Sequence, residues 1–189
     1  EYLPTDAEGN LTGILQEKAI SLFEKRRPEP SPDRRRWYHR EAAKYCHKYG
    51  ITAVHSIESM VDWYGLRGIY SDKELGVRTG VLLPVEDMDD VIAFREWSGK
   101  GDVWFWTIGI KIFTDGALGS CSAWMKEPYE GSTDCGMPLT DFNTLNSQVR
   151  QAHDNGLSVG IHAIGDAAVG VSLQVLKADE TEGPRRFLD

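Results

Sequence analysis

Two short stretches hold the residues of this chain whose types and spacing could do chemistry. The first is residues 106–124, WTIGIKIFTDGALGSCSAW, where Lys111 is the one charged residue among Ile108, Ile110, Ile112 and Phe113 before the polarity changes at Asp115. The second is residues 160–166, GIHAIGD, where His162 sits in an apolar run and Asp166 follows it by four residues. An ammonium inside a buried strand is costly unless it is paired or discharged. The plain outcome for Lys111 is an ion pair with Asp115 or Asp166. The sharper outcome uses the ease with which a buried lysine loses its proton. A neutral amine can take up carbon dioxide as a carbamate, an anionic bidentate group that can bridge two divalent cations about 3.5–4 Å apart. His162 likewise has two readings. It is either a neutral imidazole bonded to a neighbouring carbonyl or carboxylate, or a metal ligand whose tautomer a carboxylate fixes. His55, in the run ITAVHS, and Arg78 are the other polar residues of strand-like segments.

Other chemistries find little support. Cys46, Cys121 and Cys135 have no CxxC spacing and no base in sequence reach, so neither a disulfide framework nor a catalytic thiol is expected. Their odd number suits a reduced, cytoplasmic setting. Gly116 and Gly119 form no GxGxxG or GxxxxGK[ST] loop. With 29 acidic against 21 basic residues the formal charge is −8, which argues against nucleic acid or an anionic membrane as partner. No apolar run reaches the length of a membrane span. The Arg34-Arg35-Arg36 cluster reads as a solvated helix face rather than a phosphate patch.

The elements that must position these residues follow from periodicity. Ile14, Leu15, Ala19, Leu22 and Phe23 have helical spacing, ended by Pro28. Ser31 and Pro32 open a second helix running to Tyr49, with Trp37, Ala42, Tyr45 and Cys46 as its inward face. Strands are expected at 51–56, 75–83, 105–113 and 157–163, and helices at 59–70, 85–97, 141–155 (capped by Thr140) and 166–176. Residues 115–138 read as a long loop, of a length that is usually functional or disordered. Trp104, Trp106, Phe113 and Trp124 read as core, and residues 181–184 as the start of a linker. Strands alternating with helices imply a parallel α/β sheet with right-handed crossovers. Four βα units are half of a (β/α)₈ barrel, in which chemistry gathers at the C-terminal strand ends. By this count His55 ends the first strand, Arg78 lies in the second, Lys111 is late in the third and His162 late in the fourth.

KIFTDGALGS…AWM.EPY, followed by HAIGDAA, resembles the family-3 branch of the amidohydrolase superfamily, metal-dependent hydrolases related to N-substituted formamide deformylases. EGNLTGILQE near the start and YGITAVHS resemble further segments of that branch, so the resemblance covers almost the whole chain. It implies a (β/α)₈ barrel and a divalent metal centre, zinc first, with one or two ions. It implies a small-molecule amide, formamide or cyclic-amide substrate whose C–N bond is hydrolysed by a metal-activated water. Lys111 matches the family's lysine ligand, carboxylated in the intact enzyme, and His162 the histidine ending the fifth strand. Asp115, Asp166, His55 and Arg78 are candidates for holding the ligands in place or touching substrate.

The chain has no HxH, no further histidine after His162 and no eighth strand to carry the aspartate expected as general base. The expectation is therefore a single segment, 1–189, equivalent to barrel strands two to five, with no second domain, inactive and metal-free when isolated. Its two open sheet edges predict a homo-oligomer. Cys121-Ser122 stand where the family commonly has Arg-Thr. The alternative is a non-catalytic α/β module of amidohydrolase descent.

Overall fold

The structure, a computed structural model, describes residues 3–15, 19–24, 26–98 and 101–182. Four parallel strands lie in the order β1 (Ala53–Ile57), β2 (Arg78–Pro84), β3 (Phe105–Phe113) and β4 (Ser158–His162). The helices are α1 (Ile20–Glu24), α2 (Pro32–Lys48), α3 (Met60–Ser71), α4 (Met88–Ser98), α5 (Phe142–Asp154) and α6 (Asp166–Glu182). The sheet curls into half of a (β/α)₈ barrel, as the alternation predicts. Each crossover is long enough to return the chain in parallel, and α3, α4 and α5 fill them.

One core joins sheet and helices. Val81, Leu83, Ile110 and Ile112 from the strands pack against Trp63 and Leu66 of α3, Met88 and Val91 of α4, Leu145, Val149 and Ala152 of α5, and Val175 of α6. The apolar positions of α5 recur at helical spacing, and its N-terminus is capped by the Asp141 carboxylate, which accepts from Asn143 N and Thr144 N. Thr140, expected as the cap, instead donates to the Phe113 carbonyl.

Three expectations fail here. Ile14 and Leu15 are exposed and non-helical, leaving only α1 of the long first helix among the described residues; Leu22's side chain and residues 16–18 lie outside them. The helix α6 runs through residues expected to begin a linker, and residues 183–184 lie outside the described set. Most informative is α2, which is turned the other way round. Trp37 and Tyr45 are 48% and 64% exposed, and the helix docks on α3 through charge. Arg35 pairs with Asp62 and Arg36 with Asp72, while Arg40 pairs with Glu74 in the turn after α3. Arg35 and Arg36 of the cluster thus dock the helix, while Arg34 stays exposed against Trp37 and Tyr38 of α2 itself. Apolar spacing could not reveal this, because the arginines and their acidic partners are far apart in sequence.

Candidate functional site

The concave face of the sheet, opposite the core, carries His55, Trp106, Lys111, Phe113 and His162. Strict alternation along β3 would put Trp106 and Lys111 on opposite faces, five residues being an odd step. A β-bulge prevents this. Val81 pairs with Thr107 but Leu82 with Gly109, so β3 carries Ile108 as an extra residue. Before the bulge, Phe105 and Thr107 face the helices, where the Thr107 hydroxyl accepts from the Trp63 indole at 3.2 Å. Beyond it, Ile110 and Ile112 take that side and are fully buried, turning Lys111 and Phe113 to the concave face. Gly109 permits the close approach: a Cβ there would overlap the Ser158 backbone. A lone glycine inside a strand is the one sequence signal of this bulge.

Lys111 pairs with Gly160 of β4 in register, two positions before the end of β3. Among the described residues neither Asp115 nor Asp166 forms an ion pair with it, against the plain expectation. Its Nζ lies 4.9 Å from the centre of the Phe113 ring. Desolvation lowers its basicity below that of an ordinary lysine. Phe113 is the register partner of His162, and the two rings are 5.1 Å apart. Phe113 therefore touches both candidates, and at 46% exposure it is a wall of the concavity rather than the core residue expected.

His162 is gripped by three consecutive residues. Thr114 donates to the His162 carbonyl through its backbone N–H at 3.0 Å and its hydroxyl at 2.5 Å. Gly116 offers its carbonyl to the ring Nε2 at 2.9 Å. Between them Asp115 is 1% exposed and accepts from the backbone N–H groups of Ile164, Gly165 and Trp124 at 3.0, 2.7 and 2.9 Å. Its Oδ1 is 3.8 Å from His162 Nε2, so the ring is held by a carbonyl rather than by the carboxylate. Asp166 opens α6 and accepts from Lys126 N at 2.8 Å. The Trp124 carbonyl in turn accepts from Ala167 N at 3.2 Å. The two aspartates thus tie the long loop to the β4–α6 turn. Gly165 lets the chains approach, since a Cβ there would overlap the Trp124 carbonyl.

The other candidates lie elsewhere. His55 is mid-strand rather than at the end of β1; it is exposed and edge-on to Trp106 at 6.0 Å. Arg78 is the first residue of β2, at the opposite end of the sheet from Lys111, and donates to the Thr52 hydroxyl at 3.2 Å. An open groove of about 520 Å³, lined by Met60, Tyr64, Asp87, Asp90, Ala93 and Phe94, contains none of the candidates.

Among the described residues no three His, Cys, Asp or Glu side chains converge as a metal-binding group. Lys111 and His162 supply two donors on adjacent strands, where a catalytic zinc takes three protein ligands. Their chemistry suits a divalent ion, an imidazole with one nitrogen uncommitted beside an amine of lowered basicity, but the pair does not make a complete site.

The same fold recurs in known proteins. A metal-dependent hydrolase of Pyrococcus furiosus superposes with a TM-score of 0.79 at 24% identity, over 94% of this chain and 38% of that one. Its counterpart from Pyrococcus horikoshii OT3 gives 0.78 at 24%, over 93% and 37%. Protein LONG AFTER FAR-RED 3 of Arabidopsis thaliana is 30% identical over 95% of this chain and 33% of its own length. YtcJ of Bacillus subtilis strain 168, provisionally named as an amidohydrolase, is 33% identical over 95% and 34%. The chain spans about a third of the length of these relatives. Residues 2–187 match the profile of the Amidohydrolase family, end to end across the half-barrel and its two motifs, and the chain belongs to that family.

Proposed function

We propose that this chain supplies four strands of the catalytic barrel of a metal-dependent hydrolase that cleaves C–N bonds of small amides, formamides or cyclic amides. The observation that carries this is the meeting of Lys111 and His162 around Phe113 at the C-terminal ends of adjacent strands, where such barrels keep their chemistry. Lys111, whose basicity desolvation lowers, is the residue to be carboxylated, and His162 is an imidazole ligand. The remaining ligands and the general base come from strands outside these residues, in keeping with relatives about three times as long. A divalent ion, zinc first, would supply Lewis-acid polarisation and a water of lowered pKa. Lys111 and His162 would hold it, and Phe113 would shield the amine from bulk water. The chain by itself is then inactive. The three thiols Cys46, Cys121 and Cys135 are unpaired, which supports a cytoplasmic setting.

The test is metal content and amidase activity of the full polypeptide carrying these residues, wild type against Lys111→Ala and His162→Gln. Both variants should lose bound metal and turnover. Retention of both properties by either variant removes that residue from the centre. A wild type that takes up no metal favours the non-catalytic module instead.

A further inference from the structure

We propose that Asp115 is a positioning residue for His162, fixing which imidazole nitrogen carries the proton. Its importance for catalysis rests on the metal-centre reading above; the positioning itself does not. A carbonyl oxygen can only accept, so the 2.9 Å contact between His162 Nε2 and the Gly116 oxygen puts the proton on Nε2. Nδ1 then keeps its lone pair for a ligand. That arrangement requires the Gly116 carbonyl to stay aimed at the ring, and Asp115 provides the anchorage. Its carboxylate is bonded to the N–H groups of residues two and three beyond His162, and to Trp124 across the loop. The backbone on either side of Asp115 therefore cannot shift without breaking those bonds. Thr114 fixes the His162 main chain on one side of Asp115, and Gly116 the ring on the other.

The charge itself has a second effect. A buried carboxylate held by backbone N–H groups alone is costlier to desolvate than a neutral acceptor would be. Here its Oδ1 lies 3.8 Å from Nε2, too far for a hydrogen bond but close enough to favour a polar N–H on that side of the ring. Asp166 differs. It ties the same loop through Lys126 N, is exposed, and has no contact with the imidazole. It is therefore the control for simple loosening of the loop.

The experiment is long-range ¹⁵N–¹H correlation of the His162 ring at a pH where the imidazole is neutral, with zinc titrated calorimetrically into the same full-length protein. The wild type should show the Nε2–H tautomer alone. Asp115→Asn, which keeps the volume but removes the charge and turns two donors toward the N–H groups, should bring in the Nδ1–H form. Asp166→Ala should not. Zinc affinity should fall about 10-fold in Asp115→Asn, the scale seen when a group orienting a ligand is lost. An Nδ1–H tautomer in the wild type overturns the proposal at once, even if the Asn variant fails to fold. So does an unchanged tautomer in folded Asp115→Asn, or an equal change in Asp166→Ala. Zinc binding that is weakened by His162→Gln but not by Asp115→Asn also overturns it. Zinc binding indifferent to His162→Gln defeats the metal-centre reading instead, and leaves the tautomer result to decide the positioning.

Discussion

At the scale of single residues, Lys111 has no carboxylate partner among the described residues, and burial lowers its pKa. Between its folded and unfolded pKa values the unfolded chain binds more protons, so in that alkaline window stability rises with pH. At lower pH, where both states are charged, the desolvation penalty is present in full. Lys111→Met should therefore lose this rise and be no less stable than wild type near neutrality. Urea unfolding followed from neutral to alkaline pH measures both. A wild-type profile parallel to that of the Met variant would show that Lys111 is not desolvated. The placement of Lys111 and His162 late in adjacent strands is legible in the sequence, because a charged or titratable residue in an apolar run stands out. The destinations of Asp115 and Asp166 are not, because their partners are backbone N–H groups 9 to 50 residues away.

At the scale of elements, the bulge in β3 decides which face Lys111 occupies. It depends on Gly109, whose backbone lies too close to Ser158 for any side chain. Gly109→Ala must push β3 from β4 or displace the bulge. A cost of about 1–3 kcal/mol is expected, as for an overpacked core. Thermal or urea unfolding reads that cost, and the backbone amide shifts of Lys111 and Gly160 report whether the ladder moved. A variant as stable as wild type, with those shifts unchanged, would show that the approach is not tight. Near-continuous apolar runs placed all four strands, since a parallel sheet covered on both sides leaves that signal, and helical spacing placed the helices between them. They could not place the bulge, which changes register without changing composition. They also misassigned α2, whose inward face is made by Arg35, Arg36 and Arg40 rather than by its aromatics.

At the scale of the whole molecule, the half-barrel has two strands bonded on one side only among the described residues, β1 and β4. On β1 the free side can be assigned. Arg78 N donates to the Thr52 carbonyl and Glu58 N to the Leu82 carbonyl. In a parallel ladder this commits the even-numbered residues of β1 to β2 and turns the N–H and C=O groups of Ala53, His55 and Ile57 to the open edge. Ile57 and Phe113 are also exposed. Parallel, uncovered edges pair readily with another strand, so self-association of the chain is expected. The charge of −8 opposes it, but repulsion between surface charges is screened beyond about 8 Å at physiological salt. Sedimentation velocity should thus show association that strengthens with added salt. Ala53→Pro is the discriminating variant. Ala53 begins the strand and its N–H faces the open edge, so proline fits there without costing a bond to β2. The variant should keep the fold and sediment as a smaller species; association at wild-type strength would exclude the β1 edge as the contact.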